Sequence, residues 1–527
     1  MVSQHGIKFA VHIITKHFGN LVAKVCECLL RRGALTLQNI VRYTELTPTQ
    51  VKNSLLVLIQ HNCVQAFILE EPGGFGDTLR LITQYVVLFD NILHRLRFSK
   101  FLALVSLHFD KPCLDLLEGL LQHGRLSLQQ MFDRARETEG SNVTLSTVQE
   151  NLHKLVTARY VERCPIPEPV LEPPSENDVA ARKRAAKSKI IVEAETLEQR
   201  VVAASFPSDT LRFSVAVNPE LNIDCATEHA GEKRKFDALE SDIDGGATTE
   251  KIILWRANCE EFVRQLRNKA CIENVRARLD DDAATVFSAM VEASGSEEKK
   301  IKVVNSAPLS VNAIYEEVIK SEKGRNMTFN HVRASLVQLS SQPRFVRVAD
   351  ETYSIDFKNI VELAQNDEVE SVVLKRYGRT AYKIFRLLSK DGRLVETDKD
   401  LSTPLTQDRV MKISDSIFVE KKESANMLYK LWQDGYLLME RLVAGATQFL
   451  LWKVDKQKVW WHFLDEMFHG ALNLSLRVAY EIDQRDEILK LREGASKEKR
   501  DRLVKVRMLM ESSLMKLDDA IMLFHDF

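Results

Sequence analysis

Long apolar runs are missing from this chain: no stretch approaches the ~20 apolar residues that cross a bilayer. Met1-Val2-Ser3-Gln4-His5-Gly6 lacks the basic region and apolar core of a secretory signal, so a soluble, intracellular protein is expected. A net charge of either sign is missing too. The 527 residues carry 73 Lys and Arg against 74 Asp and Glu, so no global field draws the chain onto nucleic acid or a membrane. Any such contact must come from local patches, which argues against a free-standing, tight DNA binder.

Paired metal ligands are also lacking. The eight cysteines, Cys26, Cys28, Cys63, Cys113, Cys164, Cys225, Cys259 and Cys271, are scattered. A C-x-C on a helix points its sulfurs to different faces, so Cys26 and Cys28 do not make half a zinc site, and buried free thiols in a reducing compartment are expected. His462 and His469 lie seven apart on a helix among aromatics, where packing accounts for them. Asp280-Asp281-Asp282 opens a helix and has its explanation in the helix dipole. There is no G-x-S-x-G and no nucleotide-binding loop. No enzyme, metal or cofactor is expected, and the chain reads as an assembly and recognition subunit.

What is present is a repeated spelling. Leu29-Leu30-Arg31-Arg32-Gly33-Ala34-Leu35-Thr36-Leu37 recurs as Leu120-Leu121-Gln122-His123-Gly124-Arg125-Leu126-Ser127-Leu128, and with one extra residue as Leu387-Leu388-Ser389-Lys390-Asp391-Gly392-Arg393-Leu394. A leucine pair closes a buried helix face, glycine takes the left-handed position past its end, and the next leucine begins a new element. After the first copy, Thr47 and Thr49 precede Val51, Leu55, Leu58 and Ile59, then an extended run from Cys63 to Leu69. After the second, Thr144 and Ser146 precede Val148, Leu152 and Leu155, then Tyr160-Val161. Hydroxyl caps ahead of an i, i+3, i+4, i+7 stripe predict a helix, and the β-branched and aromatic run predicts a strand. Three short helices and a hairpin make a winged helix.

A degraded third copy ends a helix of Val286, Phe287, Met290 and Val291 at Ser294-Gly295. A fourth passes through Ala381 to Leu388 and Val410 to Ile417 to Ala425, Leu428, Leu431 and Trp432, ahead of a hairpin at 436–452. The expected fold is mainly α with small β-wings: four tandem winged helices and a C-terminal antiparallel coiled-coil hairpin. The predicted boundaries are 1–90, 91–220, a linker at 221–250, then 251–357, 358–455 and the hairpin at 456–527. The third unit is expected to open with a helix bearing Ile252, Leu254, Phe262 and Leu266.

Within this plan, the Gly-rich stretch 70–77 carries three acids, lacks Lys-Ser/Thr and is followed by a strand, so it reads as a hairpin turn and not a phosphate loop. Residues 165–210 read as an insertion in the second wing, rich in proline and acids, outside any core and mobile, with a return strand at 211–217. It carries the basic run Arg182, Lys183 and Arg184, a candidate nuclear-localisation or nucleic-acid patch. Further candidate DNA contacts are Arg95, Arg97 and Lys100 on the helix opening the second unit, and Lys375, Arg376 and Arg379 entering the fourth. None is accompanied by an array that reads base edges, so phosphate contacts independent of sequence are expected. In the hairpin, Leu503, Val506, Met510, Leu514, Leu517, Ile521 and Phe524 form a seam. With Trp460 and Trp461 they are the candidate docking surface.

The two nine-residue copies, the insertion before Leu211 and the terminal helical hairpin together resemble the largest subunit of the heterotrimer peculiar to eukaryotic RNA polymerase III. The resemblance covers essentially the whole chain and rests on ordered repeats and layout. It implies a non-catalytic nuclear subunit attached at the polymerase clamp. It also implies contacts with two smaller partner subunits, with an upstream initiation factor, and with DNA during promoter opening for small untranslated RNAs. Two alternatives are a free-standing winged-helix transcription factor, which would need a more basic helix than 49–60, and a proteasome-lid or cullin type scaffold, which usually has a single winged helix.

Overall fold

The computed structural model describes residues 2–72, 79–139, 143–171, 196–206, 212–214, 253–295, 303–391, 393–396, 413, 417–444, 447–489 and 496–527. It is mainly helical with small sheets, and among the described residues the strands form four three-stranded sheets. The chain divides into two compact units, residues 10–262 and residues 1–9 with 263–527.

In the unit 10–262, α1 (Gln4–Phe18), α2 (Asn20–Arg32), α3 (Leu37–Thr44) and α4 (Pro48–Gln60) lead into the hairpin β1 (Val64–Pro72) and β2 (Leu79–Val87). Gly33 ends α2 at φ 83° and donates its N–H to the Leu29 carbonyl, the left-handed stop that the repeated spelling predicts. Thr47 and Gln50 cap α4 reciprocally, each side chain accepting from the other's backbone N–H. Val25, Cys26, Leu29, Ile40, Val51, Leu55 and Leu58 are buried between these helices. Of the turn expected at 70–77, Glu70 to Pro72 continue β1 and the rest lies outside the described residues.

The second sheet corrects two expectations. After α5 (Phe89–His94), a 3-10 turn Arg95–Arg97, α6 (Phe98–Val105) and α7 (Lys111–His123), the chain makes β3 (Leu126–Ser127), α8 (Leu128–Glu139), α9 (Leu145–Thr157) and β4 (Val161–Arg163). The strand that completes the sheet is not 211–217: Arg212 to Ser214 are not strand. It is β6 (Leu254–Ala257), pairing Trp255 with Leu126 and Ala257 with Val161. The segment expected as helix around Leu254 is therefore this strand, and the helix begins only at Cys259. A run of four residues is too short for its period to separate helix from strand. What decides is the burial of Trp255, 3% exposed, between two neighbouring strands.

The insertion is also ordered at both ends. The strand β5 (Val170–Leu171) adds to the first sheet in parallel, Ile68 beside Val170 and Leu69 beside Leu171. Its flank is fixed by the Gln65 side-chain amide, which donates at 3.0 Å to the carbonyls of both Ile166 and Pro167. The helix α10 (Leu197–Ser205) carries the Thr196–Gln199 capping box and buries Val201 against Phe67, Val86 and Leu171. The expectation that 165–210 lies outside every core fails at these ends, because single apolar residues amid polar sequence find a ready-made surface on the first sheet.

In the other unit, α11 (Cys259–Arg278), α12 (Asp281–Ser294), α13 (Val311–Lys320) and α14 (Phe329–Ser340) surround Phe287, Met290, Ile314, Leu336, Phe345 and Phe357. The hairpin β8 (Val346–Ala349) and β9 (Thr352–Ile355) follows, with β7 (Leu309–Ser310) on its edge. Gly295 sits at φ −61°, so the third copy keeps the glycine without the left-handed stop. The run α15 (Phe357–Asp391) is two helices meeting at Gly378, φ 85°. The fourth sheet joins β10 (Arg393–Glu396) to β12 (Thr447–Lys453) and β11 (Leu438–Ala444), with α16 (Lys421–Gln433) ahead of the hairpin.

Two long helices, α17 (Lys456–Leu489) and α18 (Ser496–His525), pack against one another at the end of the chain. The chain start joins them: His5 Nδ1 lies 2.7 Å from Asp465 Oδ2 and Phe9 packs on Phe468, ring centroids 6.2 Å apart. The first residues therefore belong with the last helices and not wholly with the first sheet. Their apolar spacing continues that of α1, so pattern alone does not separate them.

Candidate nucleic-acid and partner interfaces

The three basic clusters fare differently. In the first, Arg97 is 0% exposed, with Nη1 3.2 Å from His94 Nδ1. Arg95 is half-buried with its guanidinium 4.6 Å above the Phe18 ring, and burial holds its pKa below the usual arginine value. A guanidinium with no solvent exposure does not meet a phosphate, so Arg97 is removed from the candidates. In a 3-10 turn side chains three apart eclipse, which brings Arg97 over His94 and into the interior. Lys100 is half-buried on α6. Arg182, Lys183 and Arg184 lie outside the described residues.

In the third cluster Arg376 is engaged: Nη1 donates to Glu466 at 2.9 and 3.0 Å and to Tyr436 Oη at 3.2 Å. The hydrogen bond to Glu466 raises its pKa. Lys375 and Arg379 on either side are exposed. Beyond Gly378, α15 runs alongside α16, Thr380 Oγ1 donating to Glu423 at 3.2 Å, while Tyr377 Oη donates to Asp434 at 2.7 Å. Of the stripe expected to be buried on α16, Leu428 and Leu431 are buried, but Trp432 is 42% exposed.

The docking candidates divide. Ile521 is buried, and Val506, Met510, Leu514, Leu517 and Phe524 are half-buried, Phe524 closing on Phe463 at 5.2 Å. That seam is used inside the hairpin; the Leu503 side chain lies outside the described residues. Trp460 is half-buried and Trp461 is 51% exposed. The outward apolar surface comprises residues missed in the sequence, Met508 at 66% and Leu509 at 71%, with Val504 and Met515 beside them. Their signal was present as apolar residues between the seam positions, where the heptad expects polar ones.

Among the described residues no group of His, Cys, Asp and Glu is arranged to hold a metal ion, and no helix is long and apolar enough to cross a membrane. Burial pushes the Cys63 thiol up to about 11 and that of Cys259 up to about 12, so both stay protonated and unreactive near neutrality. A buried network escaped the sequence reading altogether: Glu162 is hydrogen-bonded by both Arg212 and Arg256, and Arg125 donates to Asn62 Oδ1 at 2.9 Å.

A family model described as the RNA polymerase III subunit RPC82 helix-turn-helix domain matches residues 8–68. A second, described as RNA polymerase III subunit RPC82, matches residues 150–364. The DNA-directed RNA polymerase III subunit RPC3 of Homo sapiens is 23% identical over 507 residues, covering 93% of this chain and 86% of the relative. The subunit of the same name in Danio rerio is 24% identical over 502 residues, covering 90% and 84%. The chain belongs to the RPC82 family of RNA polymerase III subunits.

The matches fall on the elements just described. The helix-turn-helix model spans α1 to β1, with the capped α4 in its second half; the longer one runs from α9 into α15 and so includes the third sheet and the strands β4 and β6 of the second. A member of this family is a polymerase subunit with a role in transcription. The Dictyostelium discoideum subunit, 20% identical, is covered over 92% of its length and of this chain.

Proposed function

We propose that this chain is a non-catalytic, peripheral subunit of nuclear RNA polymerase III that supports initiation and promoter opening. Four winged helices stand in tandem, and the hairpin α17–α18 is a docking element. The observation that carries this reading is the recurrence of a three-stranded sheet behind a helical group, four times among the described residues, ahead of a helical hairpin. The second winged helix extends to Ala257 and not to 220, since β6 completes its sheet.

Partners are the polymerase clamp, the two smaller subunits of the heterotrimer, the upstream initiation factor and DNA without regard to sequence. Winged helices serve both protein and DNA, so the fold does not apportion them. Docking by the hairpin is supported by Met508 and Leu509, large apolar side chains that are mostly exposed among the described residues. Replacing both with Asp should release the protein from polymerase III during co-purification while its circular dichroism stays unchanged. Retention at unaltered stoichiometry refutes the docking role.

A further inference from the structure

The first and third sheets share one plan. In the first, Leu35 bridges Tyr85 of β2, β2 pairs with β1, and β1 pairs in turn with β5. In the third, β7 pairs with β9 and β9 with β8. Like β1, β8 is the first strand of the hairpin behind a threonine-capped helix. The outer edge of β1 is thus covered by a strand from elsewhere in the chain. Ile68 donates its N–H to the Pro169 carbonyl at 2.9 Å, and the covering segment reads Glu168-Pro169-Val170-Leu171. Among the described residues no strand pairs with the same edge of β8.

The phase of the ladder shows what that edge presents. Asp356 donates its N–H to the Phe345 carbonyl at 2.9 Å, and Ser306 donates to the Ile355 carbonyl at 3.0 Å. Val346 stands opposite Ile355, so alternation turns the N–H and C=O groups of Val346 and Val348 away from β9. Val346, Arg347 and Val348 also line an open groove of about 900 Å³, bounded further by Arg344 and by Lys358 and Glu362 of α15. Arg344, Arg347, Val348 and Lys358 are exposed. Of the carboxylates, Asp356 is buried, accepting from Arg347 Nε at 2.6 Å and from the Asn359 N–H at 3.1 Å, and Glu362 lies 4.0 Å from Lys358. Three cations against two acids leave the groove positive.

A row of unpaired N–H and C=O groups is a template for another strand, and β5 on β1 is that arrangement realised in the same chain. A nucleic-acid backbone has no matching row of donors and acceptors, and Asp356 and Glu362 oppose phosphate. We propose that the outer edge of β8 takes up an extended segment of a partner protein, apolar and acidic by turns, as an added strand. Pairing with the backbone of Val346 and Val348 holds it, an apolar side chain covers Val348, and its carboxylates meet Arg344, Arg347 and Lys358. This goes beyond the polymerase role above and rests neither on the DNA contact nor on the terminal hairpin.

The test adds a short acetylated peptide of alternating Val and Glu to the full chain and follows hydrogen exchange by mass spectrometry. The Val346 and Val348 amides should exchange fast in the chain alone and slow when the peptide is present. By fluorescence anisotropy of the labelled peptide, Val348→Pro should weaken binding about fivefold, the worth of one hydrogen bond, because it removes an outward N–H and spares the β8–β9 ladder. Arg344→Gln with Lys358→Gln should also weaken binding and flatten its salt dependence, and a peptide of alternating Val and Lys should bind less well. The exchange measurement uses the unaltered chain, so its outcome does not depend on how the variants fold. Slow exchange at both amides before peptide is added overturns the proposal, since the chain would then cover the edge itself. So does peptide binding without added protection, equal affinity in Val348→Pro, or the same protection from oligothymidine, which would make the groove a phosphate site.

Discussion

Glu162 Oε1 accepts a hydrogen bond from Arg256 Nε at 2.8 Å, across 94 positions of sequence. Its other oxygen takes Arg212, whose guanidinium also reaches Glu260 at 3.1 Å and lies 4.1 Å from the centre of the Phe206 ring. One carboxylate thus ties β4 to β6 and to the chain that follows the insertion. Removing it leaves the nearly covered Arg256 guanidinium without its carboxylate and Arg212 with Glu260 alone. Glu162→Ala should therefore cost about 3 kcal/mol in urea unfolding. A loss below about 0.5 kcal/mol would mean that water replaces the carboxylate.

Two histidines make the same unit sensitive to acid. Burial first, and Arg95 second, pull His17 and His61 down to about 4. The unfolded chain titrates each near 6.5, so between these values it binds more protons than the native state. Stability is full above about 6.5 and is lost as pH falls towards 4. The urea midpoint should decline across this window, and His61→Gln should make the decline shallower than in the unaltered chain. Parallel curves would show that other groups govern it.

Gly33 and Gly124 end equivalent helices at φ 83° and 81°, but their surroundings differ. A Cβ on Gly33 meets nothing within 4 Å, whereas on Gly124 it would lie 2.1 Å from the Gln60 carbonyl oxygen. Gly33→Ala should cost about 1 kcal/mol for the backbone conformation alone. Gly124→Ala should cost clearly more, since the end of α4 must move away. Equal thermal shifts would show that this approach relaxes freely.

Among the basic residues, burial separates structure from binding. Arg97→Gln should lower stability and leave the salt dependence of DNA binding unchanged, because the side chain has no exposure. Arg379→Gln should do the reverse, flattening the slope of log affinity against log salt by about 1. A flatter slope in Arg97→Gln at unchanged stability would contradict its assignment to the interior.

Local chemistry along the chain determined a good deal. The Leu-Leu-x-x-Gly spelling placed the ends of α2 and α7, and Thr47 placed the start of α4, because caps and left-handed stops depend on neighbouring residues only. The hairpin seam was legible through its spacing of three and four. Long-range partners were not. Leu254 to Ala257 became a strand because Leu126 and Val161 offered edges on both sides. Val170, Leu171 and Val201 left a polar insertion to cover the first sheet. Arg97 turned inward to His94, and His5 went to Asp465, 460 residues away. Each of these outcomes depends on which surfaces meet, and a one-dimensional period carries no record of the distance between residues far apart in the chain. Only the tertiary structure decided which cations and which apolar side chains remain on the surface.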